Sequence, residues 1–158
     1  MFSKILLNKE NLLLNCEQLK KKAGGNLCVM VKANAYGHGD MEIVKMLDGK
    51  VDYFGVSNQT EALNLRKVTK AHIIVFGACE DYRKCIEENI SFIILSLEHL
   101  KEIIALYKEL FIMPRMHLCI NTGMNRYGVK DKREFEKIIK LLVKNQMQLE
   151  GIYTHFSS

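Results

Sequence analysis

The 158-residue sequence predicts a parallel α/β fold, and three observations predict it. Short apolar runs of strand length recur along the chain; between them lie longer segments with apolar residues at helical spacing; and several of those segments open on capping signals. Taken in order, residues 3–7 read as a short opening strand and residues 11–21 as the first helix. Strands follow at 29–32, 53–56, 73–76, 92–95, 116–120 and 152–155, most of them near-continuous apolar runs of the kind covered on both faces. Helical patterns fill the gaps: 59–68 with Ala62, Leu63 and Leu65, 97–110 with Leu100, Ile104 and Tyr107, and 133–144 with Phe135, Ile138, Ile139 and Leu142 on one face. Asn58 with Glu61, and Asp131 with Glu134, are spaced like capping boxes. Pro114, the only proline, introduces the strand at 116–120. Strand then helix, repeated, makes neighbouring strands parallel with right-handed crossovers. With no internal repeat and no low-complexity linker, residues 1–158 read as one domain.

Composition narrows the class. Hydrophobic residues at 48% and charged residues at 26% describe a globular chain. The apolar stretch 2–14 is interrupted by Lys4, Asn8, Lys9 and Glu10, so neither a signal peptide nor a membrane span is expected, and the cytoplasm is the expected location. Five cysteines, without C-x-x-C spacing, indicate neither a disulfide framework nor a metal site. The net charge of +5 is spread over helix faces with acids between most groups, and no nucleic-acid motif accompanies it.

The segment VMVKANAYGHGD, 29–40, carries the most chemistry: an apolar strand ends on Lys32, and a small-residue turn leads on into a helix. Lysine suits covalent attachment to an aldehyde, being a flexible primary amine whose pKa moves readily with its surroundings, whereas arginine stays charged. A lone lysine at a strand end is more commonly solvated, and Tyr36 in such a turn is more commonly a half-buried loop aromatic. Arg126 in the loop after 116–120 and His155 at the end of the last strand have equally ordinary readings one at a time. Their shared placement argues otherwise: Lys32, Arg126 and His155 all follow the C-terminal ends of strands, where parallel barrels carry their chemistry.

The segment 29–40 closely resembles the pyridoxal-phosphate lysine motif of bacterial alanine racemases. MHLCINTGMNRYGV, 116–129, is similar to that family's strand and T-G-M-x-R-x-G loop, and LEGIYTHFSS, 149–158, to its strand bearing a histidine. The resemblance implies that Lys32 holds pyridoxal 5'-phosphate covalently and serves as base on one face of the substrate, the face of the D-enantiomer's proton. It further implies that Tyr36 hydrogen-bonds the cofactor phosphate, and that Arg126 meets the phenolic oxygen and lies close to the substrate carboxylate. Met124 is then a substrate contact and His155 packs near the ring. The implied fold is a (β/α)8 TIM-type barrel of which about six strand–helix units are present, the family's C-terminal β-domain being absent. Such a barrel usually needs about 250 residues. The chain is therefore expected to be the N-terminal part of the barrel domain, truncated, with exposed strand edges that invite association, and inactive in isolation because the opposite-face tyrosine lies elsewhere.

The implied activity is interconversion of L- and D-alanine, supplying D-alanine for peptidoglycan, by an enzyme that is a homodimer at full length. Two departures bear on substrate: Cys119 stands where many members have a lysine, often carbamylated, and Asn121 where they have aspartate. Arg126 then needs another means of orientation, a bound anion or a different side chain. Serine is the runner-up substrate, since a small pocket discriminates weakly against an added hydroxyl. Two other readings stand beside this one: a non-catalytic barrel that carries the cofactor, and an inactive relic or interaction partner completed by another chain.

Overall fold

The computed structural model describes residues 4–156. The chain forms two compact units, Met1–Phe76 and Gly77–Ser158. In the first, helix α1 (Lys9–Ala23) starts where the Asn8 side chain accepts the Asn11 amide and stops at left-handed Gly24. Strand β1 (Cys28–Met30), a five-residue turn α2 (Lys32–Tyr36), helix α3 (Asp40–Leu47), strand β2 (Tyr53–Val56), helix α4 (Gln59–Arg66) and strand β3 (His72–Val75) follow. The three strands are parallel, with Val29 opposite Phe54 and Phe54 opposite Ile73. Phe54, Val56, Ile73 and Val75 share one face and are fully buried, as are Leu47 of α3 and Ala62 and Leu65 of α4. Each large aliphatic or aromatic side chain removed from water in this way contributes about 1.5–3 kcal/mol.

The second unit repeats the pattern with helix α5 (Tyr82–Glu87), strand β4 (Ser91–Ile94), helix α6 (Leu97–Leu110), strand β5 (Met116–Ile120), helix α7 (Lys132–Lys144) and strand β6 (Gly151–Thr154). Its strands are parallel too, with Ile94 opposite Leu118 and Cys119 opposite Tyr153. All four residues of β4 are buried, and Leu100, Ile103, Ile138 and Leu142 bring the apolar stripes of α6 and α7 into the core. Just before β6, Glu150 ties the N-terminal strand ends together: its carboxylate accepts from Ser91 Oγ at 2.6 Å and pairs with Arg115. The flanking His117 Nε2 lies 3.3 Å from Glu150 Oε2 without the alignment of a hydrogen bond.

Most expected elements are present. The strands at 53–56 and 116–120 and the helix at 97–110 have the expected bounds, and the strands expected at 73–76, 92–95 and 152–155 start and stop one residue earlier. The strand expected at 29–32 is a correction of more consequence, because β1 ends at Met30 and Lys32 opens a turn. The opening strand expected at 3–7 is also corrected: residues 4–8 form no strand, having no ladder partner among the described residues, and Ser3 lies outside them. The first helix begins at Lys9 rather than 11 because Asn8 caps it. Among the described residues no helix is long and apolar enough to cross a membrane.

Candidate active site

Lys32 sits two residues beyond β1, half-buried, at the head of a turn wound the wrong way for L-residues. Ala33, Asn34, Ala35 and Tyr36 all have φ between 51° and 55°. A left-handed helical residue costs about 1–2 kcal/mol when it carries a Cβ, so four in succession persist only because their surroundings fix them. The composition helps, since alanine has the smallest side chain with a Cβ and asparagine is among the few residues that tolerate this region.

Hydrogen bonds close the turn on itself. Ala35 N donates to Val31 O at 2.9 Å, Gly37 N to Ala33 O at 3.1 Å, and Gly39 N to Asn34 O at 2.9 Å. Asn34 also reaches forward, its Oδ1 accepting from Asp40 N at 3.0 Å at the start of α3. One donor that the turn cannot satisfy is the Ala33 amide, and it donates to Glu61 Oε1 at 2.7 Å. Tyr36 is 60% exposed rather than half-buried, which leaves its hydroxyl open to an anion. Its ring centre lies 6.0 Å from Lys32 Nζ, the outer limit of a cation–π contact.

In the second unit, the loop after β5 carries Met124 and Arg126, both exposed, and β6 delivers exposed His155 immediately past its last residue. These three line one concavity with Cys119, Tyr127 and Tyr153. Asn121 builds the loop: its Oδ1 accepts from Gly123 N at 3.1 Å and Asn125 N at 3.0 Å, and its Nδ2 donates to Asn125 Oδ1 at 2.9 Å. The far end is folded onto β5, with Val129 N donating to Cys119 O at 2.9 Å. Gly128 is obligatory there: its φ is 102°, and a Cβ would stand 2.7 Å from Cys119 O.

Thr154 Oγ1 donates to Ile120 O at 2.8 Å and so must accept from Thr122 Oγ1 at 2.6 Å, which ties the strand end beside His155 to the loop. Burial, with a hydrogen bond to the Cys119 thiol, pushes the Tyr153 phenol well above the usual tyrosine range, so that wall of the concavity stays neutral. Arg126 has no acidic partner among the described residues; its guanidinium carbon lies 5.8 Å from the Tyr127 ring centre, so a neighbouring aromatic orients it. Cys119 does not serve that purpose, its Sγ donating to Tyr127 O at 3.7 Å.

Lys32 and Tyr36 therefore lie in the first unit, and Met124, Arg126 and His155 together in the second. Tyr127, Tyr153 and Glu61 are additions that the sequence did not single out for a site. Glu61 carried a capping signal, and its amide is the one that Asn58 caps, yet nothing in the spacing tells that its carboxylate reaches an amide 28 positions away.

The model of the alanine racemase N-terminal domain matches residues 7–158. The chain belongs to that family. An alanine racemase of Francisella tularensis subsp. holarctica is 36% identical over 154 residues, which are 96% of this chain and 42% of the relative. The solved alanine racemase of Clostridium difficile 630 superposes with a TM-score of 0.86 at 31% identity, covering 94% of this chain and 41% of that one. The chain thus spans less than half the length of the alanine racemases it matches. The expected α/β class of parallel strand–helix units, the barrel part of an alanine racemase, is borne out. A histidine racemase of Leuconostoc mesenteroides subsp. sake, at 24% identity and a TM-score of 0.85, shows that the same fold occurs under another substrate name.

Proposed function

We propose that residues 1–158 are the N-terminal part of the cofactor-binding barrel domain of a pyridoxal-phosphate-dependent alanine racemase, with Lys32 as the lysine that holds the cofactor. The observation that carries this reading is Lys32 itself: a half-buried primary amine at the head of a strained turn, in a chain of this family. The donor set fits the cofactor. An amine suits the aldehyde, the exposed Tyr36 hydroxyl suits a phosphate, and the unpaired Arg126 suits an oxygen anion or carboxylate.

When bound, pyridoxal phosphate supplies an electron sink that acidifies the α-proton of an amino acid. Lys32 Nζ would take the α-proton from the face of the D-enantiomer, or deliver a proton to that face in the reverse direction, while the opposite face is served by a second base. Tyr36 Oη would donate to the phosphate. Arg126 would orient the phenolic oxygen and the substrate carboxylate through its fork of donors, Met124 would border the substrate, and His155 would pack near the ring. The opposite-face base is assigned to the portion of the relatives that this chain does not span, in a homodimer. The reaction is placed in the cytoplasm, supplying D-alanine for peptidoglycan. Alanine is the substrate, and serine the nearest competitor, since a small pocket discriminates weakly against an added hydroxyl.

Titrating the chain with pyridoxal phosphate tests this through visible absorbance. The wild type should saturate near one equivalent and Lys32→Ala should lose that step. Indistinguishable titrations of the two would remove Lys32 from its role. The loaded chain should also wash the α-hydrogen of D-alanine into deuterated solvent; saturation without any wash-out would indicate a carrier instead.

A further inference from the structure

Glu61 stands in the first turn of α4, and both of its oxygens accept from backbone or loop donors. Oε1 accepts from Ala33 N at 2.7 Å, and Oε2 accepts from Ser57 N and Ser57 Oγ, each at 2.8 Å. Its own amide donates to Asn58 Oδ1 at 2.9 Å, so the cap fixes the backbone from which the carboxylate reaches out. Burial works against its charge, yet the Ser57 and Ala33 amides and the Ser57 hydroxyl hold its pKa below the usual carboxylate range. The group is therefore a fixed anion in three charge-assisted bonds, among the stronger hydrogen bonds a protein makes.

Its placement matters because of what the bonded amide belongs to. Ala33 N is half of the Lys32–Ala33 peptide, and while the Ala35, Gly37 and Gly39 amides are bonded within the turn, this one is bonded to Glu61. Holding that amide fixes the plane of the peptide leaving Lys32 and, through it, the direction in which the Lys32 side chain departs. It also anchors the first of four left-handed residues. Among the described residues Glu61 makes no ion pair with Lys32, so its charge is spent on the backbone and the amine stays available to an aldehyde.

We infer that Glu61 is a positioning residue for Lys32, aiming its amine by clamping the Lys32–Ala33 peptide to the loop after β2. The inference rests on the proposed cofactor role of Lys32. Ser57 provides the built-in control, since losing its hydroxyl takes one bond from the carboxylate and leaves the Ala33 clamp intact.

The test compares four forms of the chain: wild type, Glu61→Gln, Ser57→Ala, and a form in which the Ala33 amide is replaced by an ester, which deletes the donor and leaves Glu61 untouched. Each is labelled with pyridoxal phosphate, reduced with borohydride at intervals, and mapped, with the other lysines as internal references. Melting temperature is recorded alongside. Loss of a charge-assisted bond should slow labelling of Lys32 roughly tenfold in Glu61→Gln and in the ester, without slowing the other lysines. Ser57→Ala should label at the wild-type rate even where its melting temperature falls. Wild-type labelling of Lys32 in the ester form overturns the inference, whether or not Glu61→Gln folds, and so does equal slowing in Ser57→Ala, which would mark a merely structural bond. A wild type in which Lys32 is not labelled ahead of other lysines fails at the prior step and refutes the cofactor reading, with the inference that rests on it.

Discussion

The turn after β1 and the loop after β5 occupy the same place in a strand–helix unit, and each presents a cationic side chain, yet they are held differently. The first is wound left-handed through four residues with side chains and, beyond its own backbone bonds, gives its Ala33 amide to Glu61, a residue of another helix. The second is closed mainly from within, by Asn121 at its start and by Gly128 laid against Cys119 at its end, with one side-chain bond from Thr122 to Thr154 of β6. An externally clamped turn can aim one residue sharply at the expense of local strain. A self-closed loop tolerates exposure, as Met124 and Arg126 show. The difference teaches that a position at a strand end does not fix how a side chain is delivered; the donors and acceptors around the loop do.

The sharpest way to break the contrast is to overfill the second loop. Gly128→Val puts side-chain atoms against Cys119 backbone at a positive φ and should cost about 3 kcal/mol in chemical denaturation. A loss of only a few tenths would show that the loop is not closed there.

Acid should separate the two units. His99 Nδ1 accepts from Leu95 N at 3.1 Å in the second unit, and burial drops its pKa from 6.5 to about 4. The unfolded chain therefore binds the proton first. Stability from this group is complete above pH 6.5 and is lost as pH falls towards 4, by up to about 3 kcal/mol. Glu61, with its pKa lowered from 4.5, contributes stability that is complete above 4.5 and lost only below it, as pH falls through its folded value. His99→Gln should flatten the stability profile between pH 6.5 and 4, and an unchanged slope would contradict this.

Asn121→Ala removes the acceptor of two loop amides and should cost about 1–2 kcal/mol, with faster hydrogen exchange at Gly123 and Asn125. The smallest effect runs the other way. Ala33→Gly relieves one left-handed residue and should stabilise the chain by up to about 1 kcal/mol while slowing the labelling of Lys32, because the freed turn no longer aims it.

Much of the fold is legible in the sequence, because apolar runs and helical periodicity report burial directly. Phe54, Ile93 and Leu118 are buried strand residues as their runs predict. What is not legible depends on partners distant in sequence. The opening strand at 3–7 has apolar residues of the right kind, but a strand exists only against another backbone. Lys32 reads as a strand residue because Val29, Met30 and Val31 precede it; the left-handed turn that takes it out of the strand is hidden in an ordinary Ala-Asn-Ala. Helices α3 and α5 were legible and not singled out: Ile43, Val44 and Leu47 have helical spacing, and Asp81 caps α5 through Lys84 N. Lys32, Tyr36, Met124, Arg126 and His155 are proposed from motif, whereas Glu61 and Tyr153 become visible only through their bonds and burial.

The central claim is that this turn makes Lys32 the cofactor's lysine. Limited exposure of the native chain to one equivalent of pyridoxal phosphate, followed by borohydride and peptide mapping, tests it most directly. An adduct concentrated at Lys32, ahead of the solvated lysines of α1 and α7, is the expected result. An adduct spread over those surface lysines, with Lys32 unmodified, would contradict it.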